Sequence, residues 1–298
     1  MRILSDDALY AADIFIKNTG PIVFAFDNMA SAGPIENRKG WGYDFIRSQS
    51  INVVSFLETR STAWYRPSSF LEFLDELEQV IDFSKFSSRI SYGGSMGGYA
   101  AGAFASRLNC DAAILLNPVS SLSKELAPWE TRFEIAKKVN WSSSYHDAAE
   151  GIVGVPHVYL VADSLHSLDL KHIKRFERAC PSCEFYRFPG VGHGIAVHMH
   201  ALGVLKPFVL DIFNSRTPDK AEFFQAIRQR RDYVRYYKQV FIEKEDRITP
   251  ARANILAQNL ARTLKRNRVP KKLAIQIFQN ITALDPTEFG LELPASAG

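Results

Sequence analysis

The chain has 298 residues, 46% hydrophobic and 23% charged, with 17 glycines and 14 prolines. This profile excludes low-complexity and disordered classes, and no apolar run approaches the ~18 residues of a membrane span. The formal net charge is +4, yet residues 214–298 carry 16 Lys/Arg against 9 Asp/Glu, a surplus of +7, which leaves −3 on residues 1–213. The basic surplus reads as solvated faces of amphipathic helices, since no nucleic-acid motif accompanies it, and a nucleic-acid partner is not expected. Three cysteines make no paired disulfide framework, which points to a reducing compartment. The segment Met1–Asp7 turns acidic before a signal-peptide core forms, so a cytoplasmic enzyme is the expectation.

In chain order, short runs rich in Val, Ile and Phe predict strands at Ala12–Lys17, Ile22–Asp27, Ile51–Leu57, Arg89–Gly93, Ala112–Asn117, His157–Asp163 and Cys183–Phe188. Most are nearly continuous in hydrophobicity, which suits strands buried on both faces. Between them lie helical patterns. Phe70, Leu71, Leu74, Leu77, Val80 and Ile81 recur at helical spacing, and so do Leu170, Ile173, Phe176 and Cys180 behind a capping-competent Asp169. Strands alternating with helices argue for a mostly parallel α/β sheet covered on both faces, spanning residues 1–213. Residues 119–156 form an insert long enough for a small lid. From residue 214 to 290 only helical patterns occur. Phe223, Phe224, Ile227, Val234, Tyr237 and Phe241 trace one stripe, Leu256, Leu260 and Leu264 a second, and Thr249-Pro250 and Val269-Pro270 mark helix starts. This helical extension is expected to cover apolar surface and to offer a route to self-association, with residues 291–298 a disordered tail.

The most informative segment is Arg89–Ala101, which contains Gly93-x-Ser95-x-Gly97 between a strand-like run and an Ala-rich helix. A strained strand-to-helix turn lifts a serine hydroxyl above a sheet, and small residues two before and two after it avoid clashes there. No Lys-Ser/Thr pair closes the motif, which disfavours a phosphate loop. Cys180-Pro-Ser-Cys183 lacks a second ligand pair, and His198 and His200 diverge on a helix, so no metal is expected. No dinucleotide fingerprint is present, and no cofactor is expected.

With its elbow in place, the region Ala12–Phe213 resembles the α/β-hydrolase superfamily, whose triad runs nucleophile, acid, histidine in chain order. The resemblance implies Ser95 as nucleophile and His193, in Gly192-His193-Gly194, as general base. The acid belongs in the loop after the preceding strand, where Asp163 and Asp169 both stand. Asp163 is favoured because a buried strand end fixes its backbone, whereas Asp169 has a competing capping role. The resemblance also implies an oxyanion hole from the backbone N–H of Met96 and of Asn28 or Met29. Trp64 and Tyr65 are candidates to line an acyl or sugar pocket. A weaker similarity, through Tyr92–Ala101 and the Trp64-Tyr65 pair, is to hydrolase-like proteins of glycan-assembly loci. The expected function is ester hydrolysis through an acyl-enzyme on a small-molecule or glycan ester. Acyl transfer to a sugar acceptor and a non-catalytic interaction protein are the alternatives.

Overall fold

The strands form one sheet. The computed structural model describes residues 1–29, 35, 38–59, 63–243 and 248–292, and within them β1 (Arg2–Leu4), β2 (Tyr10–Phe15), β3 (Ile22–Phe26), β4 (Asn52–Glu58), β5 (Arg89–Gly94), β6 (Ala112–Leu116), β7 (His157–Ala162) and β8 (Glu184–Arg187) pair in the order β1-β2-β4-β3-β5-β6-β7-β8. Strand β2 runs antiparallel to both neighbours, and β3 to β8 are parallel throughout. Every residue of β3, β4 and β6 is buried, as both-face coverage by helices requires. The expected strands are all present with shifted ends. Strand β1, only three residues long and half-exposed, was not foreseen because it has no apolar run to announce it.

Helices α1 (Tyr43–Ser48), α2 (Ser68–Val80), α3 (Met96–Ala103), α4 (Ala148–Gly151), α5 (Ser167–Ala179), α6 (Ile195–Ala201) and α7 (Leu205–Phe213) cover the two faces. One core joins the sheet to Phe70 and Leu74 of α2, Tyr99 of α3 and Ile173 and Phe176 of α5. The other joins it to Ile46 of α1, Met199 of α6 and Phe208 and Ile212 of α7. Among the described residues no single helix is long and apolar enough to cross a membrane. Helices α6 and α7 reach that composition together, but they meet at 104° and bury Met199, Val209 and Ile212 in the core.

The insert at residues 119–156 is mostly irregular, with a 3-10 turn at Ala136–Lys138 and the single turn of α4. A buried arginine pins it. Arg66 donates to the Asn140, Ser143 and Ser144 carbonyls and to the Tyr99 hydroxyl.

Beyond α7 the chain continues as α8 (Lys220–Ile227), a 3-10 turn at Arg228–Asp232, α9 (Val234–Glu243), α10 (Pro250–Arg266) and α11 (Lys271–Thr282). Thr249 caps α10 through the Arg252 N–H, with Pro250 in the first turn. The first of the two expected stripes divides between two cores. Phe223 and Ile227 of α8 are buried in the second sheet core, whereas Tyr237, Leu260, Leu264 and Phe278 gather in a separate cluster. Leu291, expected in a disordered tail, is buried in that cluster and donates to the Pro286 carbonyl. Residues 293–298 lie outside the described residues.

Candidate active site

The loops that follow β3, β5, β6, β7 and β8 converge at the carboxyl edge of the sheet, where parallel α/β sheets place their ligands. Ser95 stands between β5 and α3 at φ 55°, ψ −114°, a conformation costly for a residue with a Cβ. The flanking glycines are explained by contact distance. A Cβ on Gly93 would lie 2.1 Å from the Gly97 carbonyl oxygen, and one on Gly97 would lie 2.3 Å from the Phe26 carbonyl oxygen. Only glycines let the turn close this tightly against itself and against the end of β3.

Ser95 Oγ lies 2.7 Å from His193 Nε2. On the far side of the ring, His193 Nδ1 lies 2.9 Å from both carboxylate oxygens of Asp169. Nδ1–H therefore donates to Asp169, which leaves the Nε2 lone pair to accept from the serine hydroxyl. The structure thus lines up a hydroxyl, an imidazole and a carboxylate.

Asp163, the acid favoured from the sequence, is employed elsewhere. Its carboxylate accepts the backbone N–H groups of Gly190, Val191 and Gly192 at 2.9, 2.8 and 2.7 Å, so it anchors the histidine loop from below. The rigid strand end that favoured Asp163 points it at this backbone rather than at the imidazole. The capping role ascribed to Asp169 falls to His166, whose Nδ1 accepts the Asp169 N–H. Helix α5 begins three residues earlier than expected, at Ser167 rather than Leu170, and this turns the Asp169 side chain inward. Burial alone would raise the Asp169 carboxyl. The hydrogen bond from His193 and the nearby charges of His193, His166 and Arg132 outweigh it and hold the group below the usual carboxylate range.

Two further side chains reach the imidazole. Asn117, at the end of β6, brings Nδ2 to 3.2 Å from His193 Nε2. Arg132, delivered by the insert, donates to Asp169 at 2.9 Å, and its Nη1 stands 3.2 Å from His193 Nδ1. Arg132 is itself held in a fork by Glu130, at 3.0 and 2.7 Å. Glu130 also accepts from His172 Nε2 at 2.9 Å, while His172 Nδ1 accepts the Ser120 N–H, so His172 is a neutral tautomer. Burial pushes His172 down and favours that neutral form, the Glu130 carboxylate opposing it. Burial acts upward on Glu130, but hydrogen bonds from His172 and Arg132 prevail and hold it well below the carboxylate range. The position of Asn117 at a strand's carboxyl end is a signal the sequence offered. Glu130 and Arg132 sit in an irregular insert, and no spacing rule marks them.

Among solved structures, a protein of unknown function from Staphylococcus aureus subsp. aureus Mu50 is similar at 13% identity and TM-score 0.50, over 73% of this chain and 99% of that one. The capsule O-acetyltransferase of Neisseria meningitidis serogroup A is similar at 12% identity and TM-score 0.49, over 69% and 91%. Est1E from Butyrivibrio proteoclasticus, with ferulic acid bound, is similar at 12% identity and TM-score 0.47, over 71% and 98%. The fold is that of the α/β-hydrolases. No family model matches the sequence, and no curated protein does.

Two groups of expected residues remain to be placed within this α/β-hydrolase frame. Met96 is the first residue of α3, at the helix end whose leading N–H groups have no intrahelical acceptor. Asn28 is half-buried and Met29 is 39% exposed, immediately after β3. The close approach of Gly97 to the Phe26 and Asp27 carbonyls seats the α3 N-terminus beside this segment. Trp64 and Tyr65, expected to line a pocket, are 0% and 1% exposed. The Trp64 ring packs on Phe133, Tyr99 and Trp141, and Tyr65 packs on Phe26 and Phe70. Both belong to the core, and Phe133 stands between Trp64 and the His193 ring, at 5.0 and 6.1 Å. Their aromatic character looked like a binding surface because sequence does not reveal that the insert folds over them.

Proposed function

We propose that this chain is a serine hydrolase that cleaves an ester through an acyl-enzyme, with Ser95 as nucleophile, His193 as general base and Asp169 as the acid. The observation that carries this reading is the 2.7 Å and 2.9 Å relay from Ser95 Oγ through His193 to Asp169, on a nucleophile held in a strained elbow. In the first step His193 Nε2 takes the serine proton as Oγ attacks the acyl carbon. Asp169 stabilises the imidazolium and keeps the ring in the productive tautomer. The tetrahedral oxyanion is received by the Met96 N–H at the helix N-terminus and by a second N–H from Asn28 or Met29. His193 then protonates the departing alkoxide, and a water activated by the same ring releases the acid.

A fluorophosphonate probe should label the wild-type protein once, at Ser95. Ser95→Ala should abolish labelling and lower ester turnover by roughly 10³-fold or more. Labelling that persists in the alanine variant would overturn the assignment. Turnover that rises when sugar acceptors are added would move the second half-reaction from hydrolysis to acyl transfer.

A further inference from the structure

His193 stands in the loop between β8 and α6, and this loop is held from two sides. From inside the fold, Asp163 accepts the N–H groups of residues 190–192. From outside, the helical extension presses on the same residues. Arg230, buried in the turn before α9, donates Nε to the Pro189 carbonyl and Nη1 to the Ile227 carbonyl, each at 2.8 Å. Its guanidinium lies 5.4 Å from the Tyr236 ring centre. A Cβ on Gly190 would sit 2.5 Å from Tyr236 Cε2 and 3.0 Å from Val240 Cγ2, and one on Gly192 would sit 2.6 Å from Gln239 Cδ. Positions 236, 239 and 240 share one face of α9, and that face lies directly on the loop backbone.

Gly190 and Gly192 adopt φ of +81° and +69°. Phe188 and Val191 anchor the loop in the second sheet core, but Gly190 and Gly192 add no side-chain packing, and glycine gives up more conformational freedom than any other residue when ordered. Its geometry must be supplied by neighbours.

We infer that α9 and the turn before it are positioning elements of the active site, clamping the His193 loop onto Asp163 so that Nε2 reaches Ser95 only when the extension is docked. This rests on the hydrolase reading and deepens it. The sequence suggested a cover for apolar surface, whereas these contacts reach the loop that carries His193. Arg230, Tyr236 and Gln239 do not touch the reacting atoms. They act through the loop backbone, and a misplacement of about 1 Å can cost 10²-fold in rate.

The test uses the full chain with Arg230→Met, Arg230→Lys and Gln239→Ala. It reads kcat and KM for an ester, the rate of probe labelling at Ser95, and amide hydrogen exchange at residues 190–192. Arg230→Met and Gln239→Ala should lower kcat and the labelling rate by about 10- to 100-fold, leave KM within about twofold, and speed exchange at the loop. Arg230→Lys keeps a donor for the Pro189 carbonyl and should recover much of the lost rate. Variants that lose melting temperature yet keep wild-type kcat and labelling rate well below that temperature would reduce the extension to a merely structural role. Should Arg230→Met fail to fold, Gln239→Ala, at a half-exposed helix position, still decides the matter. Absence of Ser95 labelling in the wild type would instead remove the hydrolase reading itself, so the two failures are distinct.

Discussion

Asp163 and Asp169 are six positions apart, both buried, and both hydrogen-bonded to the segment that carries the histidine. They differ in what they hold. Asp169 faces a side-chain N–H of a ring that, in the proposed mechanism, becomes a cation during turnover, whereas Asp163 faces three backbone N–H groups that never change charge. Asparagine at each position separates the two jobs. Asp169→Asn keeps the shape but removes the charge and disturbs the His193 tautomer, so kcat should fall by about 10³- to 10⁴-fold with a modest change in melting temperature. Asp163→Asn leaves one oxygen where three N–H groups need acceptance. The cost should be roughly 2–4 kcal/mol of stability, accompanied by a smaller loss of rate as the loop loosens. Equilibrium denaturation and steady-state kinetics on the matched pair check both. A collapse of kcat in Asp163→Asn with full activity in Asp169→Asn would reverse the roles.

The insert between β6 and β7 contributes chemistry despite having almost no regular structure. Its Glu130–Arg132 fork braces Asp169 at Oδ1, the oxygen that His166 also approaches, and Phe133 stands 6.1 Å from the His193 ring. The Glu130 carboxylate is fully buried, while the Arg132 side chain is 23% exposed. Arg132→Met would leave a buried charge with His172 as its remaining side-chain partner. The cost should fall at the lower end of the ~3–5 kcal/mol typical of broken buried pairs, since Arg132 retains some contact with water. Adding Glu130→Gln to Arg132→Met should restore most of that stability, as measured in a double-mutant cycle, and a double variant no better than the single would count against the pairing. Elements of this kind escape sequence reading for a physical reason. The parallel strands were legible because burial on both faces forces unbroken apolar runs, and the elbow because only glycines fit two positions before and two after Ser95. Glu130, Arg132 and the hidden faces of Trp64 and Tyr65 follow from where an irregular loop lands, which no local period encodes. The choice between two aspartates turned on a helix starting three residues early, a shift of the size that element boundaries read from sequence ordinarily carry.

On the scale of the whole molecule, buried carboxylates of opposite tendency set how stability follows pH. Asp169 and Glu130 are held below their ordinary range. The native state thus binds fewer protons than the unfolded chain near and below pH 4, and these two groups contribute stability that is present above the unfolded carboxylate pKa and lost as pH falls. Glu58, at the end of β4, behaves the other way. Burial, aided by the neighbouring Asp27 carboxylate, raises it to about 8 against the hydrogen bonds it accepts from the Ala63 to Tyr65 backbone. Between the unfolded value of 4.5 and about 8, the folded protein keeps a proton that the unfolded chain releases. The native state binds more protons there, so stability falls as pH rises through that window, by of order 4 kcal/mol if Glu58 acts alone. The melting temperature of the wild type should therefore peak within the window, drop on the acid side as Asp169 and Glu130 protonate, and decline toward pH 8 as the unfolded chain gains its Glu58 charge. Glu58→Gln removes the titrating group while keeping an acceptor for the backbone N–H groups. Its melting temperature should lose the decline that Glu58 causes toward pH 8. The rise with pH up to about 6.5 contributed by His172 and His198, both lowered by burial, and the carboxylate drop at lower pH should be unchanged, because they belong to other residues. Thermal denaturation of the two proteins across pH 3–9 makes the comparison, and parallel declines toward pH 8 would show that Glu58 is ionised in the native state.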